Sequence, residues 1–220
     1  MNFVLFGVNI GNLGRSGPDG RPSSAELCRG WNEAFEREGS PFRVRPAFRK
    51  TGNFFLTSDD ERSVGQVAEA VRAATRRTFA VFTEAEFLSL VSDLEAALSR
   101  WPDPRAGRRM TPGVVMDTNP DGAIPPVLSG ANNVISGSVA RRRVRGLWKS
   151  DRLRDDGRAL DSSISARDGG WGAIARAMRR QHGGEWTARA LSTLKGVVSR
   201  MAPGVGGRVR SKRAAPSSNA

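Results

Sequence analysis

The order in which residues 2–82 switch between strand-like and helix-like patterns admits few folds. Residues 2–10, rich in β-branched and aromatic types, read as a buried strand. Turn residues from Gly11 to Pro22 follow. A helix then opens at Ser23, where Ser23-x-x-Glu26 forms a capping box, and Leu27, Trp31, Ala34 and Phe35 recur at helical spacing. Gly39 and Pro41 end it. Residues 43–50 and 53–57 read as a hairpin around the tight-turn dipeptide Gly52-Asn53. A second helix over about 61–77 carries Val64, Val67, Ala68 and Val71 on one face, with Asp59-Asp60-Glu61 read as acidic compensation of its N-terminus. Thr78 to Phe82 completes β-α-β-β-α-β, the split βαβ or ferredoxin-like arrangement.

The remainder repeats the mixture. A second capping box, Thr83-x-x-Glu86, opens a helix bearing Phe87, Leu90, Val91, Leu94 and Leu98, which Trp101-Pro102-Asp103-Pro104 stops. Residues 113–117 read as a strand, 119–131 as a Gly/Pro/Asn-rich connection and 133–148 as extended chain. A short strand is expected near 159–165, and helices over about 171–181 and 187–201. The expected fold is α+β: a ferredoxin-like half over 1–83 and a second, basic α+β half over 84–201, both with antiparallel sheets. From Ala202 the chain is charged and poor in apolar residues, which predicts a disordered basic tail over 202–220.

Composition removes several chemistries. One cysteine, Cys28, cannot close an intramolecular disulfide, and with one histidine, His182, the usual zinc and iron–sulfur ligand sets cannot be assembled. No metal and no cofactor is expected. Cys28 reads as a small packing residue and His182, among arginines and glycines, as a helix-terminal surface residue. No apolar run reaches the ~20 residues of a membrane span. The start lacks the basic segment of a secretory signal. The expected setting is cytoplasmic, with no membrane partner.

Charge points to an anionic partner. Residues 1–100 carry 13 Lys+Arg against 13 Asp+Glu, so the whole surplus of +13 lies in residues 101–220, at 22 against 9. Arginine suits phosphate recognition by its planar fork, although a GC-rich coding bias would enrich it equally. The densest basic stretch holds Arg141, Arg142, Arg143, Arg145, Trp148 and Lys149, a combination that suits single-stranded nucleic acid, with phosphates on arginine and a base on the indole. The alternative is a solvated strand face with Trp148 in the core.

Three segments carry a likeness: Phe6-Gly7-Val8-Asn9-Ile10-Gly11-Asn12, Lys50-Thr51-Gly52-Asn53, and Trp186-Thr187-Ala188-Arg189-Ala190-Leu191-Ser192-Thr193-Leu194-Lys195. In this order they resemble the bacterial domain-of-unknown-function 1697 family. That family has an opening strand ending Arg-Gly-Ile-Asn-Val-Gly-Gly, a Gln-Ser-Gly-Asn hairpin and a closing Thr-Arg-Asn-Trp-Asn-Thr-Val-x-Lys-Leu helix. Phe6 stands where the family has arginine, Lys50 where it has glutamine, and Arg189-Ala190 near its Asn-Trp pair. Asn9, Gly11, Gly52, Asn53, Thr193 and Lys195 carry over. The resemblance implies two ferredoxin-like halves over residues 3–201 and no particular activity.

Two candidate anion sites follow. In a split βαβ unit the first and third strands are antiparallel neighbours, so Asn9, Gly11 and Asn12 should meet Lys50, Gly52 and Asn53 at one sheet edge. The alternative is that both asparagines satisfy turn backbone. The second candidate is the start of the last helix, with Thr187 as N-cap, Trp186 as staple residue, Arg189 in the first turn and Lys195 off the buried stripe. Three functions remain open: a binder of a nucleotide or nucleic acid, an enzyme acting on a small phosphorylated or carboxylated molecule between the halves, and a protein-interaction module using the tail.

Overall fold

The structure is a computed structural model that describes residues 1–8, 10, 22–48, 52–98, 110–128, 134–150 and 171–201. Asn9, Gly11, Asn12 and Lys50, the strand expected near 159–165 and the expected tail lie outside these residues. The first half runs β1 (Asn2–Gly7), α1 (Ser24–Arg37), β2 (Phe42–Pro46), β3 (Asn53–Ser58), α2 (Val64–Thr75) and β4 (Phe79–Thr83). The second follows as α3 (Glu84–Leu98), β5 (Met110–Asp117), β6 (Val134–Arg141), β7 (Val144–Ser150), α4 (Trp171–His182), β8 (Trp186–Ala190) and α5 (Leu191–Met201).

Each half holds a four-stranded antiparallel sheet. The orders are β2-β3-β1-β4 and β6-β7-β5-β8, the same permutation, and it is that of the split βαβ arrangement. The halves differ at one crossover. Where α1 links β1 to β2, the described part of the β5–β6 connection (residues 118–128) has turns and irregular chain and no helix.

The apolar pattern decides the layering. In β1 the side chains alternate between two buried faces. Phe3 and Leu5 meet Trp31 and Phe35 of α1 and Val67 and Val71 of α2. Val4 and Phe6 turn the other way into a cluster that includes Phe87, Leu90 and Leu94 of α3, Leu191, Leu194 and Val197 of α5, and Val114 and Met116 of β5. That cluster is one core shared by both halves. On the far side of the second sheet, Val115, Leu147, Trp186 and Ala188 pack on Ile174 and Met178 of α4. Trp171 lies over β5 where Gly113 has no side chain, since a Cβ there would fall 2.2 Å from the indole. No helix among the described residues is long and apolar enough to cross a membrane.

Local signals act as the sequence suggests. Ser23 Oγ accepts the Glu26 amide and Glu26 accepts the Ser23 amide, closing the capping box. These bonds also hold the exposed Glu26 carboxyl below its ordinary pKa. Cys28 is buried on the same helix, and burial pushes its thiol up to about 12. At the next helix the cap is Ser63 with Gln66, so Asp59-Asp60-Glu61 lies outside the first turn. There Asp60 pairs with Arg62 at 3.3 Å rather than compensating the helix terminus.

The edge strand β2 is covered by a side chain. Asn32 of α1 donates to the Val44 carbonyl at 3.0 Å and accepts the Val44 amide at 2.8 Å, the two bonds a further strand would make. Open strand edges recruit other chains. Asn32→Ala is expected to cost about 1–2 kcal/mol and to promote self-association. Sedimentation and urea denaturation of the variant check this; an unchanged monomer of unchanged stability would remove the role.

Candidate functional site

The end of β1 meets the start of β3 as the topology requires, with Phe6 paired to Asn53 and the Gly7 amide donating to the Gly52 carbonyl at 2.8 Å. Gly52 has φ +70°, a turn conformation suited to glycine. β1 and β3 are the inner strands of the sheet, so the cluster sits at the sheet's end and not at its edge. Asn53 is 1% exposed. Its Nδ2 donates to Phe48 O at 3.1 Å and its Oδ1 accepts Arg189 Nε at 2.8 Å. Asn53 is thus internally bonded, the structural alternative for that asparagine.

Residues 186–190 correct the second candidate. They form β8, paired antiparallel with β5 from Asp117↔Trp186 to Gly113↔Ala190, and α5 begins only at Leu191. Thr187 is not an N-cap, Trp186 is not a staple residue, and Arg189 is in no helical turn. The period is two: Trp186 and Ala188 face α4, while Thr187 and Arg189 face the first half. The guanidinium of Arg189 donates to Gly7 O (3.0 Å), Asn53 Oδ1 (2.8 Å), Thr187 Oγ1 (2.7 Å) and Ala188 O (2.8 Å). Burial lowers its pKa to about 10. This arginine clamps the halves together. Lys195, exposed on α5, pairs with Glu95 of α3, and Thr193 is buried.

The basic stretch is also largely engaged inside the protein. It is a hairpin, β6 to β7, turning at Arg142-Arg143, rather than one extended run. Arg143 and Lys149 are buried, and Trp148 packs against the shared core. Arg143 bonds Val81 O and Glu86, and Arg145 donates to Pro125 O. Arg141 and Arg142 are exposed but paired with Asp93 at 2.6 Å and Asp121 at 3.1 Å. Within this stretch Arg143 ties the hairpin to the first half, and Trp148 packs on the shared core.

The unengaged charge lies elsewhere. Arg72, Arg76 and Arg77, at the C-terminal end of α2, are exposed and have no side-chain hydrogen bond or ion pair among the described residues. They line a cavity of about 540 Å³ with Glu69 and Thr78. Glu69, Arg72 and Thr78 also line an adjoining cleft of about 630 Å³, whose opposite wall is Asp117–Pro120 and His182–Trp186 of the second half. The clamp stands directly behind it: Thr78 O accepts the Val8 amide at 3.0 Å, next to the Gly7 carbonyl held by Arg189. His182 ends α4 at the surface and lines the cleft. Among the described residues no group of three His, Cys, Asp or Glu could hold a metal ion.

No family model, curated protein or solved structure matches this chain. The site therefore rests on its own geometry. Net charge points instead to the second half, whereas these arginines lie in the neutral first hundred residues. A local signal is present for two of the three: neither Arg76 nor Arg77 has an acid three or four residues earlier to pair across a helical turn.

Arg76 has a further mark. It caps α2 in the left-handed region, with φ +55°, a position usually held by glycine. The only other described non-glycine residue at positive φ is Arg143, whose side chain is tied into the junction. The side chain of Arg76 instead lines the open cavity.

Proposed function

We propose that this protein binds a small anionic ligand between its two halves, held by Arg72, Arg76 and Arg77. One observation carries the reading: three guanidiniums with no side-chain partner among the described residues line a groove continuous with the inter-half cleft. Elsewhere, several described arginines and lysines are paired with carboxylates, as in Arg179–Glu185 and Lys195–Glu95. Helix C-termini favour cations, which accounts for one arginine there. It does not account for a strained cap residue whose side chain lines a cavity. The proposal keeps the anionic partner expected from sequence, moves it to other residues, and retains a cytoplasmic setting and a relation to the domain-of-unknown-function 1697 family as parts of the same reading. The paired strand orders support that relation.

Arg76→Gly separates ligand binding from helix capping. Glycine relieves the left-handed strain, so the melting temperature should hold or rise by about 2–4 °C. Loss of one charge-assisted contact should weaken pyrophosphate binding about tenfold or more by calorimetry. Wild-type binding should fall steeply between low and moderate salt. Undetectable wild-type binding of pyrophosphate, or affinity unchanged in the variant, would overturn the proposal. Tight binding of labelled single-stranded RNA without pyrophosphate binding would assign the groove to nucleic acid instead.

A further inference from the structure

We infer that the cleft takes a ligand charged negatively at one end and carrying N–H donors at the other, a nucleoside 5′-phosphate with an amino group on its base. This rests on the reading above that the arginines hold an anion. The observation is the opposite polarity of the two connected chambers. The smaller presents Arg72, Arg76 and Arg77 against the single carboxylate Glu69. The larger shares Glu69 and Arg72 but is walled on its far side by Asp117 and Glu185.

Those two acids differ. Glu185 is engaged by Arg179 at 3.2 Å. Asp117 pairs with no cation among the described residues. Its Oδ1 accepts the Asn119 amide at 2.9 Å, which leaves Oδ2 without a hydrogen bond there. The position of that oxygen is set by the following turn. A Cβ on Gly122 would fall 2.5 Å from it, so the turn closes on the carboxylate only because residue 122 has no side chain. A half-buried carboxylate oxygen held in place at a cavity wall accepts N–H donors and repels anions. A polyanion extended along the whole cleft would therefore meet like charge at Asp117. A ligand with phosphate among the arginines and an amino group at Asp117 matches both ends. The larger chamber, about 630 Å³, is within the ~300–1,000 Å³ range of small-molecule sites and exceeds what a phosphate needs.

Calorimetry on the full chain tests this with ribose 5-phosphate, adenosine 5′-phosphate and purine riboside 5′-phosphate, which keeps the ring but lacks the amino group. The adenosine compound should bind about tenfold tighter than either of the others. Asp117→Asn, which retains an acceptor for the Asn119 amide, should reduce that advantage below about threefold and leave ribose 5-phosphate unchanged. Equal affinities for all three compounds in the wild-type protein would overturn this inference and leave the anion site standing. So would an advantage that survives in Asp117→Asn. Binding of none of them would remove the anion site and this inference together.

Discussion

Replacing Arg189 with leucine is expected to destabilise the protein by about 3–5 kcal/mol, because buried acceptors lose the donor it supplies. The substitution removes the guanidinium donor from Gly7 O, Asn53 Oδ1 and Thr187 Oγ1, of which Gly7 O keeps the Thr187 hydroxyl at 3.3 Å. Each such orphaned group costs about 1–3 kcal/mol when buried. For a chain of this length that corresponds to a melting temperature lower by on the order of 10 °C. Arg189→Lys separates charge from shape: an ammonium is a point donor and cannot span acceptors on two strands and a side-chain amide. It should recover less than half of the loss. A leucine variant melting within about 2 °C of wild type would show that the clamp contributes little. The pH dependence has a definite sign. Because burial lowers the folded pKa to about 10, below the ordinary arginine value, the folded protein binds fewer protons than the unfolded chain between the two values. Stability therefore gains from this group only as pH rises above about 10, and at neutral pH the burial cost is fully present and is offset by the hydrogen bonds.

Arg143 gives the second large effect, through two opposed terms. Its side chain is 3% exposed and donates from Nη2 to Val81 O at 3.0 Å and to Glu86 Oε1 at 3.1 Å, with the guanidinium carbon 4.6 Å from the centre of the Phe82 ring. These contacts join the β6–β7 hairpin to β4 and α3 of the neighbouring layer. Its backbone, at φ +66°, is in the left-handed region. Arg143→Ala loses the contacts and keeps the strain, and should cost about 3 kcal/mol. The estimate is at the low end because Glu86 is 43% exposed and partly screened by solvent. Arg143→Gly loses the same contacts but relieves the backbone, so it should be more stable than the alanine variant by about 1 kcal/mol. Urea denaturation of the three proteins measures both terms. Equal stability of alanine and glycine variants would show that the turn stores no strain, and equality of both with wild type would show that the hairpin docks without this side chain.

The contrast between these arginines and the groove explains which features were legible. The capping box Ser23–Glu26 was readable because each partner lies three residues from the other and both bonds close inside one turn of helix. At Thr83–Glu86 one of the two bonds forms, Thr83 Oγ1 accepting the Glu86 amide at 3.2 Å. The carboxylate of that glutamate, however, also takes Arg143, 57 residues away, which no local pattern announces. Residues 187–190, expected at the start of a helix, are strand; so short a segment does not let periodicity separate two from 3.6. Its state is decided by the ladder to β5, about seventy residues earlier in the chain.

Net charge was the least reliable guide. It located the surplus in the second half, but there tertiary packing turned Arg143 and Arg189 inward as ties between layers. Arg72, Arg76 and Arg77, which line the groove, belong to a region whose charges sum to zero. By itself the sequence determined the α+β class, the strand and helix order of the first half, the capping box of α1 and the antiparallel meeting of β1 with β3. All of these follow from side-chain period, turn residues and short-range hydrogen bonds. Only the tertiary structure decided which guanidiniums are buried and which line the cleft, and that the closing motif is a strand before it is a helix. Those outcomes depend on desolvation and on hydrogen-bond partners brought together from distant parts of the chain.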